Sequence, residues 1–153
     1  MIKIELTKAI RTRMRNALRR AKSREIGGIL MGEELASGHF LVVDFSLDEI
    51  SGLHAHFVRE PKHHLLALQS FFDQTDHDYS RFNYLGEWHS HPSFATRPSL
   101  TDLQSMQRLV DGERGIEFAV LLIVKLGFFG RVVGTAGLHR RGHVPAPVDL
   151  RIN

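Results

Sequence analysis

The stretch that most restricts the fold runs from His89 to Asp102 and reads HSHPSFATRPSLTD. His89 and His91 stand two apart, so on a strand both imidazoles leave the same face with Cα atoms roughly 6 to 7 Å apart. One ion can bridge that spacing. Pro92 and Pro98 carry the chain away from the strand, and Ser99 opens a helix whose first turn holds Asp102. Strand, proline loop and helix start must therefore follow one another directly, which lets the Asp102 carboxylate return to the imidazoles. Two imidazoles and a carboxylate suit zinc and leave a fourth tetrahedral position for water, as in catalytic rather than structural sites. The plainer reading is an HxH pair on an ordinary strand followed by S-x-x-D as a helix cap, with Ser99 satisfying backbone N–H groups.

The chain contains no cysteine, which excludes disulfides, thiolate zinc sites and a cysteine nucleophile, so any metal must be held by His, Asp or Glu. Its 153 residues fit a single domain spanning 1–153, with apolar and charged fractions ordinary for a globular protein. No run of about eighteen apolar residues offers a membrane span, and the charged start MIKIELTKAIR lacks the apolar centre of a secretory signal. A cytoplasmic location is the expectation.

The charge is unevenly spread. Met1 to Arg24 holds nine Lys or Arg against one acid, so the overall +3 leaves the remainder of the chain at −5. Thr7 is a plausible N-cap, and Ile10, Met14, Leu18 and Ala21 recur at helical spacing, while Lys8, Arg11, Arg15, Arg19 and Lys22 fall largely on other faces. This amphipathic basic helix reads either as a solvated outer face or as a surface for nucleic acid or an acidic partner. No aromatic residue interleaves with its charges, which argues against nucleic acid.

Two motifs together resemble a known family. H-S-H-P, six further residues and S-x-x-D is the signature of the JAMM (JAB/MPN) metalloproteases. The upstream pattern E-x-G-G-x-L-x-G, from Glu25 to Gly32, is similar to that family's second block. The resemblance implies that His89, His91 and Asp102 bind Zn2+, that Ser99 supports the tetrahedral intermediate, and that Glu25 is the general base. Without it, Glu25 could not be chosen over Glu33, Glu34 or Glu87, which are equally ionisable. The implied fold is α/β: a curved mixed β-sheet flanked by helices, similar to cytidine deaminases. G-E-W-H-S-H-P resembles a bacterial branch associated with mobile elements and antiphage systems. The implied substrate is a peptide or isopeptide bond at the C-terminal tail of a ubiquitin-like protein. Alternatives are hydrolysis of a small amide released from a sulfur-carrier protein, or a catalytically idle scaffold; the intact His, Ser and Asp set argues against the latter.

The remaining segments supply the frame. Residues 26–31 read as a buried strand punctuated by glycines, which tolerate close approach by a substrate chain or the metal site. FLVVDF, 40–45, pairs with it as a hairpin. Pro61 opens a helix whose predicted buried stripe is Leu65, Leu66, Leu68, Phe71 and Phe72. His54 and His56 form a second HxH pair, with His63, His64 and His77 near it in sequence, but no Ser and Asp follow at comparable spacing. In residues 83–91, strict alternation puts Leu85, Glu87, His89 and His91 on one face, with Glu87 available to orient a histidine, and puts Tyr84, Gly86 and the core residue Trp88 on the other. A helix over 100–110, strands over 118–124 and 131–139, and a proline-bearing tail that crosses the surface or forms an edge complete the expectation.

Overall fold

The structure, a computed structural model, describes residues 1–49 and 61–152, with side chains described from His64 onward in the second span. Its elements are β1 (Lys3–Leu6), α1 (Lys8–Ala21), β2 (Gly27–Ala36), β3 (His39–Phe45), α2 (Pro61–Gln74), β4 (Phe82–Ser90), α3 (Leu100–Gly112), β5 (Phe118–Leu126), β6 (Val132–Arg140), β7 (Ala146–Pro147) and β8 (Asp149–Ile152). A short 3₁₀ turn, Phe128–Gly130, joins β5 to β6. His54 and His56 lie outside the described residues.

All eight strands form one mixed sheet in the order β7-β6-β5-β4-β2-β3-β1-β8. The sheet curls until β8 approaches β6, giving a nearly barrel-shaped wall. The reason is visible in the packing. Ile10, Met14, Ala17, Leu18 and Ala21 of α1 form one apolar cluster with side chains from every strand between β1 and β6, and Leu150 and Ile152 of β8 pack against it. A sheet wrapped around one amphipathic helix removes more apolar surface from water than a flat sheet could. Thr7 caps α1 as expected, its Oγ1 accepting the Ile10 N–H at 3.1 Å.

The outer face carries the other two helices. Met106 and Val110 of α3 pack on Ala119, Leu121 and Ile123 of β5, and Phe71 of α2 packs on Ile29 and Met31 of β2. In α2 the stripe differs from the expected one: Leu65 and Leu66 are exposed, whereas His64 is buried. A polar partner makes this possible, since the Ser46 hydroxyl meets His64 Nδ1 in a short hydrogen bond.

Two further features depart from the sequence reading. The N-terminal KIEL is a strand, β1, parallel to both β3 and β8, with Ile4 and Leu6 buried. The tail strands β7 and β8 are the two outermost strands of the sheet, as an edge-forming tail requires. Alternation along β4 is also broken. The register with β2 shifts between Leu30 and Met31, where Leu30 faces Gly86 and Met31 faces Tyr84, so Leu85 is the extra residue of a β-bulge. Leu85 turns to the inner cluster with Trp88, and Tyr84 to the outer face. Gly86 permits this close passage, because a Cβ there would stand 1.9 Å from the Val120 carbonyl oxygen.

Candidate metal centre

The centre is built at the end of β4. His89 and His91 project from its outer face, and the proline loop returns the chain so that α3 begins beside them. The S-x-x-D segment caps the helix and at the same time brings its carboxylate to the imidazoles. Ser99 Oγ accepts the Asp102 N–H at 3.0 Å and Asp102 Oδ2 accepts the Ser99 N–H at 2.8 Å, a complete capping box. The same Oδ2 lies 3.4 Å from His89 Nε2 and 3.6 Å from His91 Nε2. The cap thus holds the carboxylate where the imidazoles converge.

The two Nε2 atoms are 3.2 Å apart. With the Asp102 oxygen they make a donor triangle of 3.2, 3.4 and 3.6 Å. An ion held tetrahedrally at about 2.0 to 2.1 Å separates its ligand atoms by about 3.4 Å, so the triangle fits one. The tautomer of His91 fits as well. Its Nδ1 is 2.8 Å from the Ala95 carbonyl oxygen, which can only accept, so Nδ1 carries the proton and Nε2 presents a lone pair. Burial pushes the His91 imidazolium pKa down, against the opposing pull of that carbonyl, and keeps the ring in the neutral, ligating form. Burial opposes ionisation of Asp102, but its contacts to His89 and to Ser99 prevail and hold its carboxyl well below the ordinary range.

Glu25, 3 % exposed, precedes β2 with Oε1 4.0 Å from His91 Nε2. It stands outside the donor triangle yet close enough to share a water with it. Glu33 and Glu34 do not join: Glu33 pairs with Arg81 at 3.1 Å, and Glu34 accepts the Gly38 N–H at 3.4 Å. Glu87 is half-buried on β4 opposite Ile29. Ser90 is a residue that sequence reasoning passed over. Its Oγ accepts the Ile26 N–H at 3.0 Å and its own N–H donates to Ile26 O at 2.9 Å, tying the Glu25 segment to the ligand strand. The signal was present, since the residue between two same-face histidines must point the other way. The glycines of β2 serve the same closeness: a Cβ at Gly27 would stand 2.2 Å from the Trp88 carbonyl oxygen, and one at Gly28 equally close to that of Ser46. Of the two approaches expected from the sequence, the metal site accounts for Gly27, where a Cβ would also meet His89 Cα and Cβ at 2.9 Å.

The loop is fastened from β5 and β6. Lys125 Nζ donates to the Phe94 carbonyl at 3.3 Å, and the Thr135 hydroxyl donates to that of Thr96. Phe94 stacks on His91 with ring centroids 4.2 Å apart. Among the described residues, His89, His91 and Asp102 form the only group of three or more possible ligands so converged. His77 pairs with Asp73 and His64 with Ser46, so neither extends the site.

Residues 7–135 match the family model described as prokaryotic homologs of the JAB domain. The chain belongs to that family. No curated protein matches the sequence. Among solved structures, protein DSY2949 from Desulfitobacterium hafniense is similar with a TM-score of 0.69 at 23 % identity, over 98 % of this chain and 92 % of that one. A protein from Salinibacter ruber gives a TM-score of 0.50 at 18 % identity, over 94 % and 91 %. These likenesses concern the fold. Within the JAB/MPN fold the His89, His91 and Asp102 cluster is a possible metal site arranged like a JAMM motif. No helix among the described residues is long and apolar enough to cross a membrane.

Proposed function

We propose that this chain is a zinc-dependent hydrolase of peptide or isopeptide bonds, acting at the C-terminal tail of a ubiquitin-like protein. The observation that carries the reading is the donor triangle of His89, His91 and Asp102 with the buried Glu25 carboxylate 4.0 Å from one of its corners. A scaffold has no need of three converging ligands beside a buried acid. Zinc held by His89, His91 and Asp102 would supply Lewis acidity and lower the pKa of a water at its open position toward neutrality. Glu25 accepts that water's proton as the oxygen attacks the carbonyl, then passes the proton to the departing amine. Ser99 Oγ already accepts the Asp102 N–H, so its own hydrogen is left to donate to the developing oxyanion, a contact typically worth about 3 to 4 kcal/mol in barrier. Ala95 O and the Phe94 ring keep His91 in its ligating orientation.

The test is Glu25→Gln beside the wild type, read for zinc content and for cleavage of fusions to ubiquitin-like proteins. Zinc is retained at about one per chain, and cleavage falls by about 10² to 10⁴. An active Glu25→Gln enzyme sinks the general-base assignment. Activity on a small amide without a ubiquitin-like tail selects the sulfur-carrier alternative, and wild-type protein that takes up no zinc selects the scaffold.

A further inference from the structure

A second polar feature lies across the ligand strand from the metal centre, on the side toward which Ser90 points. Arg19, Lys22 and Arg24 line a cavity of about 270 Å³, with Leu18 and Leu126 as apolar wall, while Lys125 borders it with its ammonium turned to the Phe94 loop. Among the described residues no carboxylate lines it. Among the described residues Lys3, Arg13, Arg20, Arg81 and Arg151 each rest on a carboxylate, whereas other cations such as Lys8 and Arg15 rest on none. Arg19, Lys22 and Arg24 also rest on no carboxylate among the described residues, and they differ from the single ones in sharing one cavity. Arg24 and Lys125 donate to the backbone carbonyls of Glu49 and Phe94. Positive groups gathered around one cavity repel each other unless an anion joins them.

The turn after β5 adjoins this pocket and exposes two aromatic rings. Phe128 is 89 % and Phe129 98 % exposed. Phe129 has φ 58 and ψ 25, a left-handed conformation that a bulky side chain rarely adopts. Rings held in water on a strained backbone contribute nothing to the core, and such strain tends to gather at binding sites. The turn touches the basic helix: a Cβ at Gly130 would stand 3.0 Å from Arg19 Nη2. The helix has no aromatic residue among its own charges, and the fold brings two beside them.

We propose that this surface binds a phosphorylated ligand with a planar ring, its phosphate in the cationic pocket and its ring against the Phe128–Phe129 turn. That chemistry is a nucleotide, free or at the end of a single-stranded nucleic acid. Several cations around one cavity match a terminal phosphate of charge near −2 better than a single carboxylate, and the two arginines offer planar donor forks to its oxygens. Exposed aromatic rings accept any base by stacking.

The test is fluorescence anisotropy of the full chain with a labelled, 5′-phosphorylated oligothymidylate at low salt. Competitors are thymidine 5′-monophosphate, inorganic phosphate and a glutamate-rich peptide. Lys22→Glu and Arg19→Glu each weaken binding roughly tenfold, with a salt slope reduced by about 1 to 2. Phe129→Ser weakens it several-fold, and Lys8→Glu, on the same helix outside the pocket, leaves it nearly unchanged; thermal melting verifies that each variant folds. Competition by the mononucleotide identifies a free nucleotide as the ligand, and its failure beside a bound strand identifies nucleic acid. The proposal is overturned by no binding at low salt, by a Lys8→Glu loss equal to that of Lys22→Glu, or by the glutamate-rich peptide competing as well as the strand.

Discussion

His91 at the end of β4 and His139 on β6 are buried to almost the same degree, 2 % and 1 % exposed, and burial pushes both imidazolium pKa values down. Their surroundings differ completely. His91 has Nδ1 anchored on Ala95 and Nε2 facing His89 and Asp102. His139 Nδ1 has no hydrogen-bond partner among the described residues, and the ring sits opposite Ala119. A depressed histidine pKa therefore marks desolvation, and a site requires in addition that lone pairs converge.

Four substitutions sharpen that contrast, in falling order of effect. Asp102→Ala opens the donor triangle and removes part of the α3 cap, so stoichiometric zinc binding disappears by metal analysis while His139→Leu leaves it intact. Equal loss in both would show that convergence is not what separates the two histidines. Ser99→Ala retains zinc, lowers cleavage by about 10²-fold and lowers thermal stability by about 1 kcal/mol through the lost cap; an unchanged cleavage rate would confine Ser99 to capping. Ser90→Ala removes the acceptor for the Ile26 N–H, costs about 1 to 3 kcal/mol in chemical denaturation because that donor is buried, and slows cleavage with zinc bound, since Glu25 loses its fastening.

The smallest effect belongs to His139→Leu and appears only in the pH dependence. His139 has a folded pKa below its unfolded value of about 6.5, so as pH falls through that value the unfolded chain takes up a proton that the folded chain refuses. Stability then declines with acidity, by at most about 1.4 kcal/mol per pH unit for one proton. His139→Leu flattens the slope of stability against pH between about pH 6.5 and 5 relative to wild type, measured by denaturant titration. An unchanged slope would show that this ring is protonated in the fold.

The stretch HSHPSFATRPSLTD by itself determined the ligand strand, the cap and the return of Asp102, because each depends on spacings of two or three residues and on local backbone rules. The same holds for the Thr7 cap and for the apolar stripe of α1. Four-residue β1 was hidden by its brevity, although Ile4 and Leu6 alternate with Lys3 and Glu5. Tertiary structure decided the rest. Leu85 left the histidine face because β4 bulges against β2 there while Gly86 lies against the Val120 backbone of β5, and His64 displaced Leu65 and Leu66 from the buried stripe because Ser46 offered it a partner. Glu25 reached His91 only through the pairing of Ile26 with Ser90, 64 residues away, a separation beyond any local rule. Phe128 and Phe129 came to lie beside the basic helix in the same way. Local periodicity fixes which side chains share a face, whereas only closure of the sheet around α1 fixes which faces meet.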